Sequence, residues 1–80
     1  MKKVIKNLLY DTDTAKLIIS EVGSDGTLVK RLYMTDNRAF FFLIIAADEI
    51  QPISEAECRE WLGLFNYNAY VSVFGEPQKA

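Results

Sequence analysis

The chain has no histidine and only one cysteine, Cys58. A lone cysteine cannot form an internal disulfide. Without histidine, neither a cysteine–histidine metal cluster nor a histidine-activated nucleophile can be assembled. An excess of one charge sign is also missing. Nine basic residues face eleven acidic ones, a net of -2, and like charges form no block. The chain therefore lacks the lysine and arginine excess of a phosphate-binding surface, and also the carboxylate density of a nucleic-acid mimic. No direct nucleic-acid contact is expected. The longest apolar run, from Ala39 to Ala47, is too short to span a bilayer, and the opening MKKVIKNLLYD has neither a long apolar stretch nor a small-residue cleavage site. A cytoplasmic protein without membrane contact is expected. Repeats, low-complexity segments and linkers are absent, and 80 residues make a single domain near the lower size limit for folding without disulfides or metals.

Turn signals divide what is present. Lys3 to Tyr10 reads as a first strand and Ala15 to Val22 as a second. Gly23-Ser24-Asp25-Gly26 should turn the chain into a third strand, because its glycines accept positive φ without a steric penalty. From Thr27 to Thr35 side chains alternate, with Leu28, Lys30, Leu32 and Met34 on one face and Val29, Arg31, Tyr33 and Thr35 on the other, which is the pattern of a half-buried strand. Thr35-Asp36-Asn37-Arg38 predicts a tight hairpin into a fourth strand, Ala39 to Ala47. The segment EIQPIS then leaves the sheet, with Pro52 unable to donate a ladder bond.

Helices follow. Ser54 with Glu57 three residues later is a capping box, and Cys58, Trp61, Leu62 and Phe65 form a stripe at helical spacing. A second stripe, Tyr67, Tyr70, Val71 and Phe74, predicts another short helix closed by Gly75. Strands first and helices last give an α+β domain over residues 1–80: a four-stranded antiparallel sheet followed by two short C-terminal helices packed on one face.

Asp11 and Asp13, at i and i+2 after an apolar strand, are the one pair with a catalytic look. On an extended segment they share a face and offer a divalent cation two carboxylates, as in the strand-end Asp-x-Asp of haloacid-dehalogenase-type phosphatases. That chemistry also needs a distant lysine, further acids and a parallel sheet, none of which this chain supplies. The reading preferred is a turn in which Asp and Thr side chains bond neighbouring amides. Cys58, on an apolar stripe, reads as a small hydrophobe, and Trp61 and Tyr67 as packing residues. Lys30 and Arg31 point to opposite faces and make no patch. No catalytic, cofactor-binding or metal-binding residue is assigned.

The fourth strand resists a purely structural reading. Phe40, Phe42 and Ile44 lie on one face, and Phe41, Leu43 and Ile45 on the other. Two helices cover only one face. The other must be covered by the N-terminal strand and loops, by a second copy or by a partner. Phe41, Leu43 and Ile45, with Tyr33 on the neighbouring strand, are the candidate interaction residues, and a homodimer is expected.

The ordered segments LYDTDTAK, LYMTDNRAFFFL, I.PISEAECREWL and Y...FGE resemble a group of small proteins carried by conjugative elements and phages of Firmicutes and related gut bacteria, over nearly the whole chain. Ile44 to Asp48 stands where members often carry a glycine-rich stretch. Some proteins of this kind are similar to anti-CRISPR inhibitors. The resemblance implies a non-enzymatic protein-binding module of a mobile element, an inhibitor of a bacterial defence nuclease complex with a CRISPR effector as its protein partner. The alternatives are a small structural homodimer of a transfer operon and a metal-dependent phosphoesterase using Asp11 and Asp13.

Overall fold

The computed structural model describes residues 1–80. Its elements are β1 (Lys2–Ile5), β2 (Leu8–Asp11), β3 (Lys16–Val22), β4 (Leu28–Met34), β5 (Phe40–Ile44), β6 (Glu49–Ile53), α1 (Glu55–Phe65) and α2 (Tyr67–Phe74). Strands β3 to β6 pair in sequence order as a four-stranded antiparallel meander, and β1 and β2 form a separate two-stranded sheet. The α+β class and the placement of the helices after the sheet are as the sequence predicts. No helix is long and apolar enough to cross a membrane.

Two strand assignments need correction. Lys3 to Tyr10 is not one strand, because the chain folds back at Lys6 and Asn7, both with positive φ (51° and 66°), with Ile5 opposite Leu8. This is a two-residue mirror-image turn, whose twist matches the strands it joins. The second correction concerns EIQPIS, which stays in the sheet: Glu49–Ile53 is β6, antiparallel to β5, with Pro52 opposite Phe41. It is an edge strand, where proline is tolerated because its missing donor can face away from the ladder.

The three meander connections share one construction. Gly26 donates to Gly23, Arg38 to Thr35 and Asp48 to Ile45, each an amide-to-carbonyl bond of 2.9 to 3.1 Å across three residues. In each, the donating residue has positive φ: 83°, 60° and 51° respectively. This geometry is a type I turn followed by a left-handed residue, common in three-residue hairpin loops. Side chains reinforce two of the turns, with Asp25 accepting from the Thr27 amide at 2.9 Å and Thr35 Oγ1 accepting from the Ala39 amide at 3.1 Å. Only the first turn has glycine at the left-handed position.

The helices begin as predicted. Ser54 Oγ accepts from the Glu57 amide and Glu57 Oε1 accepts from the Ser54 amide, both at 3.0 Å, which completes the capping box. The Ser54 amide, and after it the Ser54 hydroxyl, hold the Glu57 carboxyl below its ordinary range. Asn66 ends α1 and caps α2, its side-chain oxygen accepting from the Ala69 amide at 2.9 Å. At the end of α2, Gly75 has φ 83° and donates to the Val71 carbonyl.

Strand β5 carries the core on both faces. On the helix side, Phe40 and Phe42 pack with Leu32, Cys58 and Leu62. Ile18 and Ile19 both reach that core, although neighbours in a regular strand point apart. A register shift between Leu17 and Ile19 makes this possible. On the opposite side Phe41 packs with Tyr10, Tyr33 and Ile50. Tyr10 comes from β2, so the N-terminal hairpin covers the sheet's second face.

Arg38 gives the turn geometry a direct test. A non-glycine residue in left-handed backbone costs about 1–2 kcal/mol, partly offset by the ~0.5–1 kcal/mol of extra entropy that glycine loses on folding. Arg38→Gly is expected to stabilise the domain by about 0.5–1 kcal/mol, raising Tm by roughly 4 °C. A lower Tm in a thermal melt would contradict the assigned turn.

Candidate interaction surface

The residues expected to form an open surface on the second face are divided by the structure. Phe41 is fully buried and Tyr33 nearly so. Their rings stack at 5.2 Å between centroids and 10° between planes, and Tyr10 meets Phe41 edge-on at 5.4 Å and 77°. The expected open face is therefore closed at Phe41 and Tyr33, because the first sequence segment turns back at Lys6-Asn7 and brings Tyr10 onto it. Leu43 and Ile45 remain half-buried, and Ile45 lies not on β5, which ends at Ile44, but in the turn after it, donating to the Val29 carbonyl and accepting from the Asp48 amide.

Asp11 and Asp13 do not converge as a catalytic pair. Asp11 is buried and its Oδ1 accepts from the Asp13 amide at 2.9 Å, while Asp13 is exposed. Thr12 adds backbone and side-chain bonds to Met1. The carboxylate of Asp11 thus builds the turn. No group of three or more histidine, cysteine, aspartate or glutamate side chains is placed to hold a metal ion.

The helices present a different surface. Within α1, Cys58 and Leu62 fill the buried line one turn apart. Trp61, one position before Leu62, lies across the boundary between core and surface. Its ring meets Phe42 edge-on at 5.0 Å and 78°, and stacks on Phe65 at 4.5 Å and 18°. Lys30 Nζ sits 4.1 Å from the Phe42 ring centre and 5.2 Å from that of Trp61, and 3.8 Å from Glu21 Oε1. The ammonium is held by two aromatic faces and a carboxylate, so one side of the Trp61 cluster has a polar cover.

The other side has none. Leu64 is 87% exposed, Tyr67 58% and Phe65 41%. Leu64 stands three residues after Trp61, which puts the two on neighbouring positions of the helix surface. Together they border a hollow of about 330 Å³ floored by Phe42 and Ile53, which Glu57 and Glu60 also line. The only ion pairs in the chain are Lys30–Glu21 and Arg59–Glu55, leaving Glu60 without a cation. The α1–α2 corner is an apolar, largely aromatic ridge beside an acidic hollow. The spacing of the second stripe puts Tyr67 in the core; instead it lies exposed at the first position of α2, outside both core clusters. Leu64 was outside both stripes, and a leucine off the buried line was the available signal.

No family model, curated protein or solved structure matches this chain.

Burial pushes the Cys58 thiol up to about 11, with the Glu55 carboxylate adding to the effect and Arg59 opposing it. At neutral pH it is a protonated core side chain, not a thiolate. A raised pKa means that the folded state holds this proton more tightly, so the stability it confers is present below the ordinary thiol value and is lost as pH rises through about 11. The Tm advantage of wild type over Cys58→Ala should therefore narrow between pH 9 and 11. Parallel melting curves across that interval would contradict a buried neutral thiol.

Proposed function

We propose that the protein is a non-enzymatic protein-binding module that engages its partner through the α1–α2 corner. The observation that carries this reading is the exposure of Leu64 and Phe65 beside Trp61, with Tyr67 exposed two residues on at the start of α2. Aromatic residues of this kind, set on a rigid element, are the side chains on which interface energy concentrates. The shape of the molecule supports it. Its extents are 38 × 34 × 17 Å and its accessible surface is 5580 Å², against about 4,900 Å² expected for a monomer of this mass. Glu57 and Glu60 favour a partner whose apolar knob is flanked by basic residues.

The resemblance to small mobile-element proteins supports a narrower version, in which the partner is a bacterial defence nuclease complex and binding blocks its activity. The test is to mix the purified protein with an RNA-guided nuclease complex and measure comigration and DNA cleavage. Wild type is expected to comigrate and suppress cleavage. Leu64→Glu, a change at an exposed position, is expected to keep the wild-type fold and weaken binding about 30-fold, the effect of losing a hot-spot side chain. Undiminished cleavage would remove the inhibitor reading for that complex, and equal binding by Leu64→Glu would remove the corner as the contact surface.

A further inference from the structure

A second concavity lies away from the helices. It is a groove of about 500 Å³ between β2 and the β4–β5 turn. Four consecutive residues, Leu8, Leu9, Tyr10 and Asp11, line one bank. Successive side chains of a strand point to opposite faces, so four in a row can border one groove only along the strand's edge. That edge is free at Leu9, because β1 is the only strand partner of β2, while at Asp11 the outward carbonyl is already taken by the Ala15 amide at 3.0 Å.

The pairing identifies which backbone groups face the groove. Ile5 and Leu8 flank the two-residue turn and form its closing hydrogen-bonded pair, so the next pair, Val4 and Leu9, is the non-bonded kind. The N–H and C=O of Leu9 therefore point away from β1. Leu8 and Leu9 are each 57% exposed, an unusual state for neighbouring leucines in a strand. Asp11 and Asp36 supply the charge, one from each bank. Neither forms an ion pair, and apart from the bond from the Asp13 amide to Asp11 Oδ1 neither carboxylate accepts a hydrogen bond.

We propose that this groove takes an extended basic segment of a partner protein, which adds to the free edge of β2 as a third strand. Main-chain bonds to Leu9 supply the attachment and the leucines supply apolar contact. An arginine or lysine of the partner segment, past the end of the pairing and two residues from the position opposite Leu9, reaches the two acids. A two-stranded sheet is marginal alone, so a third strand also completes an element that the fold leaves unfinished. This surface is separate from the α1–α2 corner, and its test does not depend on that reading.

The probe is an acetylated, amidated peptide TVTVRVT, with TVTVEVT as its charge-reversed counterpart, each titrated into the isotope-labelled full chain and followed by amide chemical shifts and hydrogen exchange. The arginine peptide is expected to shift the amides of Leu9, Asp11 and Asp36 saturably and to slow exchange at Leu9. It should bind about tenfold more tightly than the glutamate peptide, as one charge-assisted contact implies. Asp36→Asn, a substitution in an exposed turn, should narrow that preference while leaving the spectrum otherwise unchanged. The proposal is overturned if Leu9 does not move at peptide concentrations up to about 5 mM, which corresponds to negligible affinity, or if both peptides bind equally. It is also overturned if the Leu9 amide becomes protected with rising protein concentration and no peptide, since a second copy would then occupy the edge.

Discussion

Phe41 is held between two tyrosines that reach it from different sheets, Tyr33 stacked on it from β4 and Tyr10 meeting it edge-on from β2. The rest of the architecture follows from the need to cover it. A strand as apolar on both faces as β5 requires a layer on each side, and 80 residues cannot supply two helical layers. The chain uses α1 and α2 for one layer and a four-plus-four-residue hairpin for the other. The hairpin is too small to make a core of its own, so its position on the sheet depends on Tyr10 and on the partly buried Ile5 and Ala15 beside it. Edge-to-face and stacked aromatic contacts add about 0.5–1.5 kcal/mol each beyond burial, a useful contribution where only ten of 80 residues are buried.

That economy explains where the exposed apolar residues occur. The helices are short, and each serves the core with a narrow line of side chains: Cys58 and Leu62 in α1, and only half-buried residues in α2. Leu64 and Tyr67 lie beyond that line at the corner where Asn66 ends one helix and starts the next. In the same way, β2 commits Tyr10 to the core and leaves Leu8 and Leu9 outside. Both candidate surfaces are thus the outward sides of elements whose inward sides hold the fold. Substitutions that test binding there can spare the core.

The parts legible in the sequence were those governed by local rules. The Ser54–Glu57 box, the Gly75 stop and the Gly23–Gly26 turn depend on residues close to one another, and all appear as the pattern implies. What was missed depended on backbone signals weaker than glycine. Lys6-Asn7 and Ala46-Ala47-Asp48 make turns with non-glycine residues at positive φ, namely Lys6, Asn7 and Asp48, so the first hairpin has the pattern of one strand and β6 that of an exit loop. These two errors offset each other in the strand count of the main sheet, because β6 took the place assigned to the N-terminal strand. The demand for cover over Phe41 was readable from strand alternation. Its solution was not, since nothing in residues 3–10 marks Tyr10 as the residue that returns to the sheet until the turn at Asn7 is known.

Proton–proton cross-relaxation between the Tyr10 and Phe41 rings tests this account most directly. With ring centres 5.4 Å apart and one edge directed at the other face, strong cross-peaks are expected, unchanged in intensity on dilution because both rings belong to one chain. Absence of those cross-peaks in a folded sample would contradict the account, since Phe41 would then need cover from elsewhere and the N-terminal hairpin would have lost its place on the sheet.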